Sequence, residues 1–233
     1  MSLEEKIGTQ ILSKISKKIN LTPIEKFKEL EVLKSLDGRE IGSFKAWRGE
    51  KLEKFSITEI SVAPGMGYTN ISLRAESKYS IGTIGVNYMA MPEVIQWDVD
   101  LYPPVDLVTH QILIDKYYDQ LKDIYQGSKN SPDFKWRLSD HSWMRARTSP
   151  YFFMSATPKT AEAKIHGIIH AYCDVWLKMW EGEKEVTPEK AKDIAYRRKC
   201  MVEVLLEKEP ERHILEKIFG KEMTRRLGEA MTG

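Results

Sequence analysis

The chain has 233 residues, 42% of them hydrophobic and 30% charged, and its formal net charge at pH 7 is only +2. These values favour one globular domain spanning residues 1–233. The mean hydropathy is −0.43, and no apolar run approaches the roughly 18 residues that a membrane helix needs. We therefore expect a cytoplasmic monomer that binds neither membranes nor nucleic acids.

Common metal and nucleotide motifs are missing from the sequence. The two cysteines, Cys173 and Cys200, are too few for a disulfide framework, and no CxxC pattern offers zinc or iron–sulfur ligands. The GMG at 65–67 is too short for a dinucleotide fingerprint, and neither GxxxxGK[ST] nor GxSxG occurs. We therefore expect no bound metal.

The first half of the chain predicts one helix followed by strands. The isoleucines of MSLEEKIGTQILSKISKKI fall on one helical face and indicate an amphipathic helix, not a signal peptide. Five segments rich in β-branched and aromatic residues follow, separated by turn formers, and they favour an antiparallel meander. These predicted strands are Ile41–Trp47, Phe55–Val62, Tyr68–Ala75, Ile81–Met91 and Trp97–Tyr102.

The second half is predominantly helical in pattern. We predict helices over Asp106–Tyr125, over Thr160–Trp180, from Thr187-Pro188 towards Leu206, and from Pro210 to a stop at Gly220, with a sixth strand at Pro150–Met154. Helices on both sides of a block of strands favour an α+β fold. We expect a single-domain α/β/α sandwich whose central antiparallel sheet carries helices on both faces.

The segment GVNYMAMPEVIQWDVDLYPP, residues 85–104, predicts a hairpin with polar residues near its middle. A two-residue tip at Glu93-Val94 would place Asn87 opposite Asp100 and Met89 opposite Asp98. Because side chains alternate along a strand, these residues and Met91 share one face. That face is either solvated or covered by a ligand. If it is covered, at least one carboxyl should have a raised pKa and can donate a proton.

Two other features leave alternatives open. His166, His170 and Cys173 follow an i, i+4, i+7 pattern that suits either a metal site or the flank of a packed helix. Basic residues cluster at 145–164, 197–199 and 225–226. Such clusters are either solvated faces or docking surfaces for an acidic partner.

Four stretches, taken together and in order, resemble the ferredoxin-dependent bilin reductases. EPERHILEKIFG at 209–220 is similar to the C-terminal signature of that family. GVNYMAMP at 85–92 resembles the strand that carries His or Asn in the bilin pocket. WDVDLY at 97–102 resembles the strand with the proton-donating Asp, and SPYFFMSATP at 149–158 resembles a later strand that precedes a long helix.

The resemblance implies an enzyme that reduces an open-chain tetrapyrrole such as biliverdin to a phytobilin. Such enzymes hold no cofactor of their own and take single electrons from reduced ferredoxin, an acidic [2Fe-2S] protein. They bind the pigment between the sheet and the C-terminal helices. The alternatives are a reductase of a chlorophyll-breakdown tetrapyrrole, a tetrapyrrole-binding protein without catalysis, and a metal-dependent enzyme that uses the two histidines.

The resemblance also implies roles for particular residues. Asn87 corresponds to the pocket His or Asn, Asp100 to the central proton donor, and Glu209 to a second acid. Because Asp98-Val99 replaces the Phe-Gly that commonly precedes the central Asp, Asp98 is the competing candidate.

The pigment also needs side chains that contact its rings and its propionates. Met89 and Met91 are candidates for contact with the rings. Arg212 either binds a propionate or pairs with a neighbouring glutamate. The strand at 149–158 lacks the Arg with which some members bind a propionate, and Arg145, Arg147 or Lys159 can substitute for it.

Overall fold

The computed structural model describes residues 6–209 and 212–232. Its described residues form one sheet whose strand order is β1-β3-β4-β5-β6-β7-β9-β8, with β2 also paired to β3. The strands are β1 (Thr22–Pro23), β2 (Leu33–Lys34), β3 (Glu40–Gly49), β4 (Leu52–Ala63), β5 (Met66–Ala75), β6 (Thr83–Ala90), β7 (Val94–Tyr102), β8 (Lys135–Trp136) and β9 (Phe153–Pro158). The five long strands pair antiparallel in chain order, which confirms the predicted meander.

Helices precede and follow the five long strands, as expected from the sequence. They are α1 (Ile7–Ser16), α2 (Gln111–Lys116), α3 (Lys122–Lys129), α4 (Ser142–Arg145), α5 (Glu162–Gly182), α6 (Pro188–Lys208), α7 (Arg212–Phe219) and α8 (Lys221–Thr232). The predicted α+β class is confirmed. Within the described ranges, no helix combines the length and the apolar character needed to cross a bilayer.

One face of the sheet packs against α1 and α5. The Trp176 indole of α5 donates to the Gly82 carbonyl at 2.9 Å, and the Tyr88 hydroxyl of β6 donates to the Glu162 carboxylate. A Cβ on Gly8 of α1 would come within 2.9 Å of the Ile57 side chain, so α1 lies directly against β4. Burial of these apolar surfaces provides most of the core.

The opposite face is covered at one side by α7 and α8. Phe219 and Leu227 of these helices join a second apolar cluster with Phe44 of β3. Lys54 Nζ donates to the Ala230 carbonyl at 2.6 Å, and Arg74 Nη1 donates to the Thr232 carbonyl at 2.6 Å. Two cations of the sheet therefore bind the carbonyl end of α8, where the helix dipole is negative.

Two of the helical regions differ from the sequence prediction. The helix expected over 106–125 breaks into α2, a 3-10 turn (Tyr118–Leu121) and α3, because the backbone leaves helical geometry at Tyr117, where φ is −125°. The predicted start at Pro210 lies outside the described residues. Gly220 ends α7 with φ of +78°, as predicted, but the chain resumes at once as α8, which the sequence reading missed.

Candidate functional site

The sheet has one apolar face and one polar face because residue types alternate along its central strands. On β4, Phe55 and Ile57 point to α1 and α5, whereas Ser56 and Thr58 point away from them. The polar side continues across β5, β6 and β7. Its members on these three strands, in register across the sheet, include Asn70, Ser72, Asn87, Gln96, Asp98 and Asp100.

The predicted hairpin register is wrong by two residues. The tip is Pro92-Glu93, where the Met91 N–H donates to the Val94 carbonyl at 2.9 Å, since proline favours the second position of a turn. Asn87 therefore pairs with Asp98, and Gly85 pairs with Asp100. Because the slip is an even number of residues, every side chain keeps its predicted face.

Asn87 is the centre of a hydrogen-bond row across three strands. Its Oδ1 accepts from the Tyr68 hydroxyl at 2.9 Å and from Asn70 Nδ2 at 3.0 Å. Its Nδ2 donates to Asp98 Oδ1 at 3.0 Å. The amide and the carboxyl that the sequence analysis singled out are thus in direct contact.

Asp100 is completely buried and is bound to the segment before β9. The Ser149 N–H donates to Oδ2 at 2.9 Å, and the Ser149 hydroxyl donates to Oδ1 at 2.5 Å. Burial raises the pKa of Asp100 to about 6, although both hydrogen bonds from Ser149 act in the opposite direction. Asp100 can therefore hold a proton close to neutral pH.

An arginine lies between two aromatic rings beside these carboxyls. The Arg147 guanidinium is 4.8 Å from the centre of the Tyr102 ring and 5.2 Å from that of Trp143. A Cβ on Gly85 would come within 2.6 Å of the Tyr102 ring, so the ring lies directly over Gly85. Planar guanidinium groups suit such stacking, which keeps the charge of Arg147 buried in the site.

Glu209, at the end of α6, interacts electrostatically with Tyr102. Burial raises the pKa of the Tyr102 hydroxyl, and the Arg147 charge lowers it. The charges of Asp98, Asp100 and Glu209 raise it further. The charges of Glu209, Asp98 and Asp100 therefore all influence the Tyr102 hydroxyl.

The remaining candidate residues lie at the margins of this site. Met89 and Met91 are half-buried near the hairpin tip, and Arg145 is exposed on α4. Arg212 is exposed, and its Nε donates to Glu216 at 3.1 Å. Arg212 therefore makes the glutamate pair that was the alternative to propionate binding.

Buried hydroxyl groups of the polar face are not satisfied by the protein itself. The hydroxyls of Ser56 and Thr58 have no hydrogen-bond partner within residues 6–209 and 212–232. Burial of a polar group without a partner costs about 1–3 kcal/mol. Such groups are typical of a face that binds a polar ligand or ordered water.

The basic run at 197–199 is mostly turned inward. Arg197 Nε donates to the Pro103 carbonyl at 3.3 Å, and Arg198 Nη1 donates to the Ala75 carbonyl at 2.6 Å. Lys199 is exposed, whereas the other two side chains are partly buried. Two of the three charges of this run therefore attach α6 to the sheet at the ends of β5 and β7.

The two histidines of α5 are engaged by a side chain of α1. Gln10 Nε2 is 3.2 Å from His166 Nδ1, and Gln10 Oε1 is 3.0 Å from His170 Nε2. Burial lowers the pKa of both histidines. No group of three His, Cys, Asp or Glu side chains within the described ranges could hold a metal ion. The geometry supports the packed-helix interpretation.

Several residues of the site were missed in the sequence. Tyr68 and Asn70 could have been found from the sequence pattern. They alternate with the buried residues Ile71 and Leu73 on β5, and so fall on the polar face. Ser149 gives no comparable signal, since it lies in an irregular segment and meets Asp100 only through the fold.

Comparison with known proteins agrees with this fold. A search of curated proteins found no match. The solved structure of phytochromobilin synthase from tomato in complex with biliverdin matches with a TM-score of 0.85 and 16% sequence identity, covering 96% of this chain and 81% of that one. The family model for ferredoxin-dependent bilin reductases matches residues 8–231. The chain belongs to the ferredoxin-dependent bilin reductase family.

Proposed function

We propose that this protein reduces a biliverdin-like open-chain tetrapyrrole on the polar face of its sheet, with electrons from reduced ferredoxin, to give a phytobilin. The observation that carries the proposal is the row of Asn87, Asp98 and Asp100 on a face that also contains unpartnered buried hydroxyls. The tomato relative, whose structure holds biliverdin, has the same fold. A pigment with several N–H groups and carbonyl groups matches such a surface.

The chemistry requires acids beside the pigment. Each electron that enters the conjugated system makes it more basic, and a proton must follow to a particular carbon. A positioned carboxylic acid typically accelerates such a proton transfer by about 10²–10⁴-fold. The carboxyl groups of Asp98 and Asp100 on the polar face support this proposal.

Of the two acids on β7, the geometry favours Asp98 as the one that contacts the pigment. Asp98 is 9% exposed and bonds to Asn87, whereas Asp100 has no exposed surface and both of its oxygens bind Ser149. Asp100 then supports the site by holding the segment before β9. Glu209, at the end of α6, acts as a second acid.

The basic residues take two further roles. Arg147, held between two rings, is placed to bind a propionate. Ferredoxin docks at the edge of the sheet formed by β8 and β9, where Arg137, Arg145 and Lys159 are exposed. This edge adjoins the pigment, since Asp98 pairs with Met154 of β9. Opposite charge speeds encounter with an acidic donor and loses effect as salt increases.

The decisive experiment is an anaerobic assay with biliverdin, a ferredoxin-reducing system and chromatography of the product. We expect the biliverdin spectrum to change on binding, and then to shift to the blue as double bonds are lost. Binding without reduction would indicate a tetrapyrrole-binding protein that does not catalyse the reaction. If biliverdin is neither bound nor reduced, the proposal is refuted.

Single variants then assign the acids. We expect Asp98→Asn to lower turnover by at least about 10²-fold with little change in biliverdin affinity, because only proton supply is lost. Glu209→Gln should change the distribution of products. Asp140→Asn, on the exposed loop before α4, is the matched control. An Asp98→Asn protein as active as the parent would exclude this acid.

The docking surface is tested by charge reversal. Lys159→Glu and Arg137→Glu should each lower the ferredoxin-dependent rate several-fold at low salt, with convergence towards the parent at high salt. Lys28→Glu, exposed at the opposite edge of the sheet, serves as the control. Equal effects of all three substitutions would argue against docking at β9.

A further inference from the structure

The direction of the Asn87 amide is determined by its neighbour on β5. An asparagine can present either its carbonyl oxygen or its NH2 group along a given direction. Asn70 Nδ2 lies 3.3 Å from the Val86 carbonyl oxygen and 3.0 Å from Asn87 Oδ1. A backbone carbonyl only accepts hydrogen bonds, so Asn70 must turn its NH2 group towards Val86, and thereby also towards Asn87.

The direction of Asn87 follows from that of Asn70. With its Oδ1 engaged by the Asn70 NH2, Asn87 must direct its own NH2 towards Asp98 Oδ1, at 3.0 Å. The Tyr68 hydroxyl donates to the same Oδ1 at 2.9 Å. A hydroxyl can rotate and accept instead, so Tyr68 tolerates either direction and Asn70 decides between them.

This order has a consequence for the acid at its end. An N–H donor binds Oδ1 of Asp98, and a carbonyl oxygen accepts such a bond better than a hydroxyl oxygen does, so a proton carried by this carboxyl is more stable on Oδ2. If the Asn87 amide were reversed, its carbonyl would face Asp98 and would capture the acidic proton in a hydrogen bond. The observed direction leaves the proton on the oxygen that Asn87 does not use.

We propose that Asn70 is a positioning residue of the reductase: through Asn87 it directs a donor at Asp98 Oδ1 and so keeps the transferable proton on Oδ2. The inference rests on the proposed role of Asp98 as proton donor. Asn70 lies in the middle of β5, paired with Asn87 in the sheet register. The hydrogen bond from the Asn70 NH2 group to the Val86 backbone carbonyl fixes the direction of the Asn70 amide, and through it that of Asn87.

Asn70→Asp tests this inference, because it replaces the NH2 group with an oxygen of nearly the same size. An ionised carboxylate at position 70 attracts the Asn87 NH2 group and reverses the amide. We expect turnover of biliverdin to fall at least about tenfold at pH 8, with biliverdin affinity changed far less. The loss should diminish as pH is lowered, since a protonated carboxyl at position 70 regains a donor. Asn130→Asp, the same change at the exposed end of α3, should leave turnover unaltered.

A double-mutant cycle separates positioning from a merely structural role. In an Asn87→Ala background there is no amide to orient, so adding Asn70→Asp should cost no further activity. A loss from Asn70→Asp that persists undiminished in that background would overturn the inference.

The direction of the amide can also be measured without pigment. The side-chain N–H resonances of Asn87, observed by ¹⁵N NMR, should shift in Asn70→Asp and stay unchanged in Asn130→Asp. A folded Asn70→Asp protein with unshifted Asn87 side-chain signals would refute the proposed direction. A parent protein that neither binds nor reduces biliverdin would instead refute the proposed function. The NMR result would still decide the direction of the Asn87 amide.

Discussion

The buried carboxyl of Asp100 makes protein stability depend on pH in a direction that can be calculated. Burial raises its pKa from 3.8 to about 6. Between these values the folded protein binds the proton more tightly than the unfolded chain, so this group's contribution to stability is complete below the lower value and is lost as pH rises towards 6. A shift of about two units corresponds to about 3 kcal/mol.

Asp100→Asn should remove this dependence. An asparagine can accept from the Ser149 N–H and donate to the Ser149 hydroxyl oxygen, so both contacts of the segment before β9 survive. We expect the free energy of unfolding of the variant, relative to the parent, to increase by roughly 2 kcal/mol between pH 4 and pH 7. Urea unfolding at a series of pH values, with unchanged m-values, measures this difference.

Ser149→Ala provides the matched comparison. Its hydroxyl lowers the pKa of Asp100, so its removal should extend the loss of stability to pH values above 6. In the Asp100→Asn background the same substitution should give no pH-dependent difference. An Asp100→Asn variant whose stability difference from the parent is the same at pH 4 and pH 7 would refute this reasoning.

Two further predictions follow from close contacts near the site. Gly85→Ala should displace the Tyr102 ring, because the added Cβ would lie 2.6 Å from it. We expect a loss of about 1–3 kcal/mol of stability by thermal unfolding and weaker biliverdin binding, and an unaltered protein would show that the ring is not fixed there. Burial lowers the pKa of Lys54 to about 7, so the unfolded chain binds more protons above this pH and stability should rise by about 2 kcal/mol from pH 7 to pH 9. The Lys54→Met variant should not show this rise in stability, and hydrogen exchange in the last turn of its α8 should be faster. An identical pH dependence of stability in parent and variant would contradict the role of Lys54.

Much of the site could be predicted from local sequence pattern. The alternation of side chains fixes which residues share a face, and it placed Asn87, Asp98 and Asp100 together even though the predicted register was wrong. The register itself depended on whether Pro92 or Glu93 begins the two-residue tip. That choice moved Asn87 from Asp100 to Asp98 without changing the face.

Directions of long side chains were harder to predict. Arg198 belongs to a basic run, but it turns inward because the Ala75 carbonyl at the end of β5 accepts a hydrogen bond from it. Arg147 is buried between two rings that lie on separate elements. No local pattern shows which partner a flexible cation will reach, since the partner is distant in the sequence.

The sequence by itself determined the antiparallel meander, the helix that begins at Pro188 and the polar face of the hairpin, because these depend on backbone periodicity and on turn and cap residues that act over a few positions. Only the tertiary structure decided that Asn70 orients Asn87, that Ser149 binds Asp100, and that Glu209 acts on Tyr102. These relations join residues 17, 49 and 107 positions apart. Residues so far apart in the sequence come together only when strands and helices pack against one another. No short segment of the sequence determines that packing.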